Sequence, residues 1–162
     1  DIAKKANISL GNLYNHFESK AALIAEIASL EAAELGDIEG NLEDTAAPDM
    51  TIEQFVRSYF DYVAQPENAV LAVEITAEAM RTPDIAKGFV HNRERLVTKL
   101  ADLLRAGEEQ GIFAPNRHPE EQANLILDLI ESAGLRAAFD KPGLRSRTRK
   151  ALIEMVKRAI CA

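Results

Sequence analysis

Apolar positions recur at spacings of three and four along nearly the whole chain, the period of helices that each bury one face. After Ser19, whose hydroxyl suits an N-cap, Ala22, Leu23, Ile27 and Leu30 keep that spacing and predict a helix ending at Gly36. Upstream, one helical piece is expected to end near Ala6, because Asn7 tolerates the left-handed conformation that closes a helix and Ser9 can cap the next. A short helix follows from Leu10 to about His16, which puts three helices into the first 36 residues. Residues 37–50 are acidic, contain Gly40 and Pro48 and lose the period, so they read as a loop and as the junction of two units, 1–36 and 37–162. Thr51-Ile52-Glu53-Gln54 has the form of a capping box, with Met50 and Phe55 placed as a hydrophobic staple, and predicts the next helix start.

Pro66 and Pro83 stand where a first helical turn tolerates proline, giving expected helices over 66–81 and 83–110, with Gly88 a break in the first turn of the second. In that second helix Phe89, Arg93, Leu96, Leu100, Leu103 and Gly107 form one stripe, flanked by Val90, Val97 and Leu104, up to a stop at Gly111. Pro119 with Glu120 and Glu121 opens a helix to about residue 139 that is apolar around much of its circumference and therefore needs cover on more than one side. Past Lys141-Pro142-Gly143, a last helix carries Leu152, Val156, Ala159 and Ile160 on one face. The fold class is all-α, an N-terminal helix-turn-helix followed by a helical bundle, with no internal repeat.

Composition supports this. The 162 residues are 47% hydrophobic and 28% charged, which excludes disorder for most of the chain, and Ala, Leu, Ile and Glu dominate. Acidic residues interrupt every apolar stretch before the roughly 18 residues a membrane span requires. One cysteine, Cys161, cannot form an internal disulfide and suits a reducing compartment, so the cytoplasm is expected. The chain opens at Asp1 with no secretory pattern and reads as lacking its native N-terminus. Net charge is −7, which opposes general attraction to nucleic acid. Residues 1–20 differ, holding Lys4, Lys5 and Lys20 against Asp1 and Glu18, with His16 in addition.

That stretch, DIAKKANISLGNLYNHFESK, carries the chemistry. Small Ala3 and Ala6, a turn at Asn7, apolar Ile8, and Leu13 and Phe17 four apart are what two helices crossing steeply through a short turn require. The outer face of the second helix is then free for DNA. Ile2-Ala3, Ile8-Ser9, Gly11, Leu13-Tyr14, His16-Phe17, Ser19-Lys20 and Leu23 together resemble the helix-turn-helix of the tetracycline-repressor (TetR) family of bacterial transcriptional regulators. The layout around 77–83 and the Gly107 to Phe113 turn is similar to many regulatory domains of that family.

The resemblance implies a recognition helix over Leu10–Phe17. Leu10, Gly11 and Asn12 would face base edges, the Asn12 amide being suited to adenine. Ser9, Tyr14, Asn15, His16 and Lys20 would meet phosphates, Lys20 beside a capped helix N-terminus that itself attracts anions. The family's first helix is absent, Asn7 replaces a glycine common in the turn, and Ala22 replaces a common capping acid. The resemblance further implies a homodimer formed through the last two helices, with Ile126, Leu129, Ala133, Leu152, Val156 and Ile160 as interface candidates, two recognition helices about 34 Å apart on a palindromic operator, and release by a small-molecule effector.

Candidate effector residues are Phe55, Tyr59 and Tyr62 on one helix face, Glu74 and Glu78 four apart, and Asn124 and Asp128, which with Glu131 interrupt an apolar helix. Each has a plainer reading beside it: core packing for the aromatics, a solvated face with Glu78 meeting Arg81, and a wet subunit edge for the polar trio. His91 and Arg95 lie toward the polar side of their helix, and the basic run Arg145, Arg147, Arg149 and Lys150 reads as a solvated or inter-subunit face. Few charges mark the presumed pocket, so the effector is expected to be hydrophobic or amphiphilic. His16, His91 and His118 stand apart, and no phosphate loop, nucleophile elbow or metal spacing is present, so neither cofactor nor enzyme chemistry is expected. The alternative is a helical protein-interaction module that keeps the fold without binding an operator.

Overall fold

A computed structural model describes residues 16–161, apart from the side chain of Ile85. The two helical pieces expected before His16 lie outside the described residues. Six α-helices follow: α1 (Lys20–Gly40), α2 (Pro48–Val63), α3 (Pro66–Ala79), α4 (Lys87–Glu109), α5 (Pro119–Ala137) and α6 (Pro142–Ile160). Short 3-10 turns at Asn41–Glu43 and Pro83–Ala86 join α1 to α2 and α3 to α4.

Ser19 starts α1 as its sequence position suggests, its hydroxyl accepting the Ala22 amide at 3.1 Å. The end differs. α1 passes through Gly36 and continues to Gly40 because Leu35, Ile38 and Glu39 are buried, and Arg95 of α4 holds the Glu39 carboxylate. Packing along the last turn outweighs the helix-weakening glycine. The capping box is also corrected: α2 begins at Pro48, a proline in its first turn, and the Thr51 hydroxyl donates to the Asp44 carbonyl oxygen at 2.8 Å instead of capping. Met50 is exposed, so there is no staple. Residues 83–86 form a 3-10 turn rather than the first turn of α4.

The core is built by α2, α4, α5 and α6. Phe55 and Phe60 from α2, Leu100 and Leu103 from α4, Leu127 and Ile130 from α5, and Val156 and Ile160 from α6 meet in one cluster, joined by Leu35, Ile38 and Leu42. The α4 stripe is buried from Leu96 to Gly107, but Val90 at its start is exposed. Gly111 closes α4 at φ 70°, with the Ile112 amide reaching back to the Gly107 carbonyl at 2.9 Å. That turn delivers Phe113 onto Gly107 and pairs it with Cys161, tying the α4–α5 connection to the end of α6. α3 is different: Ala69 and Ile75 are buried, whereas Val70, Val73 and Met80 are exposed, so the helix lies on the edge against α2 and the 83–86 turn.

Candidate functional site

The polar positions of four helices converge beside the upper core. Tyr59 of α2 is buried and stacks with Phe55 (centroids 5.6 Å apart) and Tyr62 (6.4 Å). Its hydroxyl donates to Glu131 of α5 at 2.9 Å. Arg93 of α4 donates to the same Glu131 carboxylate, to Asp128 at 2.6 Å and to the Asn124 carbonyl oxygen at 3.4 Å. The residue before it, Asn92, donates to Glu31 and to the Ala28 carbonyl, both at 2.9 Å, and so fastens α1 to α4.

The electrostatics follow from crowding acids in a place partly removed from water. Burial pushes the Glu31 carboxyl above the usual carboxylate range, with the Asn92 hydrogen bond opposing and Glu131 and Glu34 adding repulsion. Burial also raises Glu131, against the pull of Arg93 and Tyr59. Tyr59 is held well above its ordinary value by burial and then by Glu131, and Tyr62 rises through burial with Glu31 and Glu34 nearby. Arg93 thus pairs with two of the acids gathered here, Asp128 and Glu131, while Glu31 takes its hydrogen bond from Asn92. The carboxylates of Asp128 and Glu131 accept hydrogen bonds here, and the Tyr62 ring is only partly covered.

Of the sequence candidates, Phe55, Tyr59, Tyr62, Asn124 and Asp128 come together here, although Phe55 is fully buried and presents no surface. Glu74 and Glu78 do not join them. Glu74 is exposed, and Glu78 meets Lys20 at 2.7 Å and Arg81 at 3.4 Å. Glu31, Glu34 and Arg93 were not candidates. Arg93 had a signal, since an arginine inside an apolar stripe must find a partner across the interface; Glu31 and Glu34 had none, because nothing local separates them from solvated glutamates.

Among interface candidates, Ile126, Leu152, Val156 and Ile160 are spent inside the protomer, while Leu129 is exposed and Ala133 half-buried. The exposed apolar side chains of these helices are instead Leu125, Leu129 and Phe139 from α5 and its end, and Leu144 and Met155 from α6. Half of the basic run, Arg145 and Arg149, is engaged within the protomer, while Arg147 and Lys150 are exposed. Arg145 donates to the Ala137 and Ala138 carbonyls that end α5, and Arg149 pairs with Asp61. Arg149 and Lys150 border a groove of about 540 Å³ between α2 and α6, where Glu53 is held below the usual carboxylate range by Lys157 and Arg57. Of the DNA-facing candidates, His16 and Lys20 are exposed at the described start of the chain, whereas Ser9, Leu10, Gly11, Asn12, Tyr14 and Asn15 lie outside the described residues. His91 is exposed and Arg95 pairs with Glu39. Among the described residues no helix is long and apolar enough to cross a membrane, and no group of side chains could hold a metal ion.

Residues 1–27 match the family model described as bacterial regulatory proteins, tetR family, and residues 48–161 match that of the BetI-type transcriptional repressor, C-terminal. The chain belongs to the TetR family of transcriptional regulators. It is 32% identical over 155 residues to the HTH-type transcriptional regulator UidR of Escherichia coli K12, covering 90% of this chain and 77% of that protein. In fold it is similar to a TetR-family regulator from Agrobacterium tumefaciens (TM-score 0.77, 19% identity, 100% of this chain and 85% of the other) and to Salmonella enterica GusR (TM-score 0.61, 24% identity, 96% and 82%). The relatives it matches are transcriptional regulators rather than enzymes.

Proposed function

We propose that this chain is a cytoplasmic repressor that binds a palindromic operator as a homodimer and is released when a small amphiphilic molecule enters the acidic, tyrosine-lined cluster between α1, α2, α4 and α5. The observation that carries the reading is the Asn92 bridge to Ala28 and Glu31, because it fastens the helix leading from the DNA-facing end directly to that cluster. In this reading residues 1–36 read DNA and residues 37–162 sense and dimerise, with α1 continuing across the division as one rigid rod. Leu10, Gly11 and Asn12 face bases, while Ser9, Tyr14, Asn15, His16 and Lys20 take phosphates. Phe55 shapes the stack from behind, Tyr59, Tyr62 and Asp128 line the site with Glu31, Glu34, Arg93 and Glu131, and Asn124 contributes its carbonyl. A ligand that favours one spacing of the recognition helices lowers operator affinity by the difference in its binding to the two states.

The test is to select duplexes from a random-sequence pool with the full-length protein and then to screen metabolites for release of the selected duplex. One enriched palindrome, with a releasing compound whose effect is lost in Arg93→Met while operator binding survives, is the expected result. No enriched sequence, with or without metabolites, would leave the protein-interaction module in its place.

A further inference from the structure

Glu78 lies at the end of α3, against the first turn of α1, and its carboxylate has two partners of the same sign. Lys20 Nζ approaches to 2.7 Å and Arg81 Nη2 to 3.4 Å. Lys20 is the first residue of α1, directly after the Ser19 cap, so its ammonium stands where unpaired helix amides also draw anions. A lysine carries one charge, and a carboxylate at 2.7 Å neutralises it. That carboxylate also repels a phosphate arriving at the same helix end.

The element that supplies Glu78 is placed to matter. α3 is anchored at its start, where the Asn68 side-chain amide donates to the Tyr62 carbonyl at 3.0 Å, and at its end it meets α1 through the Lys20–Glu78 pair. At about 1.5 Å per residue the ten residue steps from Asn68 to Glu78 span about 15 Å between the two. Between them Ala69 and Ile75 are buried, and the rest of the helix is exposed or half-buried.

We propose that Glu78 is an internal competitor for the DNA backbone: Lys20 is held by Glu78 in the free regulator and handed to a phosphate in the operator complex. This rests on the reading above that Lys20 contacts phosphate, and it adds an acid on the regulatory side that sets how tightly the operator is held. Glu78 is not part of the effector cluster, and Gln has the shape of Glu, so Glu78→Gln removes the charge of a partly covered side chain and keeps its packing.

The experiment is a double-mutant cycle on the full-length protein, with the duplex selected by the wild type from a random-sequence pool as probe, titrated over a series of salt concentrations. Lys20→Ala weakens binding and lowers the salt slope by about 1. Glu78→Gln tightens binding about 3- to 10-fold in the wild-type background and leaves Lys20→Ala unchanged. Tightening by the same factor in both backgrounds would overturn the proposal, because it would report only the loss of a negative charge near DNA. No tightening in the wild-type background would overturn it as well. If Lys20→Ala alters neither affinity nor slope, the phosphate contact itself is the reading that fails.

Discussion

Glu31 shows how a single side chain is held at a cost. Its carboxyl titrates above the usual range because burial and the neighbouring Glu131 and Glu34 disfavour the charged form more than the Asn92 hydrogen bond favours it. The folded state therefore binds a proton more readily than the unfolded chain. Stability contributed this way is present below the ordinary glutamate value and is lost as pH rises through the higher folded value. Glu31→Gln keeps an oxygen to accept from Asn92 and removes the charge. It should raise the melting temperature by about 1–3 °C at pH 7 and by nothing measurable near pH 4, read by calorimetry at both. Carboxylates such as Glu43 and Glu53, held low by Lys99 and Lys157, act in the opposite sense and lose their contribution as pH falls. Arg93 acts on the neighbouring acids: in Arg93→Met, Asp128 and Glu131 lose their paired cation, so the destabilisation should be larger at pH 8 than at pH 5, in urea titrations at the two values.

At the scale of helices, two glycines separate what a sequence signals from what packing decides. A Cβ on Gly107 would sit 2.0 Å from the ring of Phe113, which is buried and held in place by its pairing with Cys161. Gly107→Ala should cost about 3 kcal/mol and lower the melting temperature by roughly 6–12 °C. Gly36 meets nothing within 4 Å and lies inside α1, so Gly36→Ala should stabilise by up to about 1 kcal/mol. A reading of sequence alone takes Gly36 for a helix stop, because the contacts that carry α1 onward, Ile38 and Glu39 against the body of the protein, are not local. The same limit hid the true start of α2, where Pro48 in the first turn outweighed a capping box that the Thr51 hydroxyl declined in favour of Asp44. What was legible were features set within one turn of chain: the Ser19 cap, the prolines opening α3 and α5, the apolar stripe of α4 and the close of that helix at Gly111. The polar cluster was half legible, since aromatics at helical spacing and acids in an apolar helix announce themselves, while the acids of α1 gain meaning only when α4 crosses them.

For the whole molecule, the homodimer proposed above asks two things of α5 and α6. Their inner faces, with Ile126, Ile130, Leu152, Val156 and Ile160, fill the protomer's own core. Their outer edges leave Leu125 62%, Phe139 78% and Leu144 49% exposed, and Leu129 and Met155 are exposed as well. Five large apolar side chains stay exposed on these two helices and the turn that joins them, and an interaction surface would account for them. A two-fold pairing of that edge would cover them and fix the distance between two DNA-facing ends, which single-site affinity cannot do. The outer edge and the inner face are separable by mutation. Leu129→Glu should leave helix content and unfolding by circular dichroism nearly unchanged, halve the mass measured by light scattering at micromolar concentration, and weaken binding to a palindromic duplex far more than binding to a single half-site. Val156→Glu places its charge in the core and should unfold the protomer instead. A Leu129→Glu protein that keeps the mass of the wild type would move the interface off this edge and leave its exposed side chains to another partner.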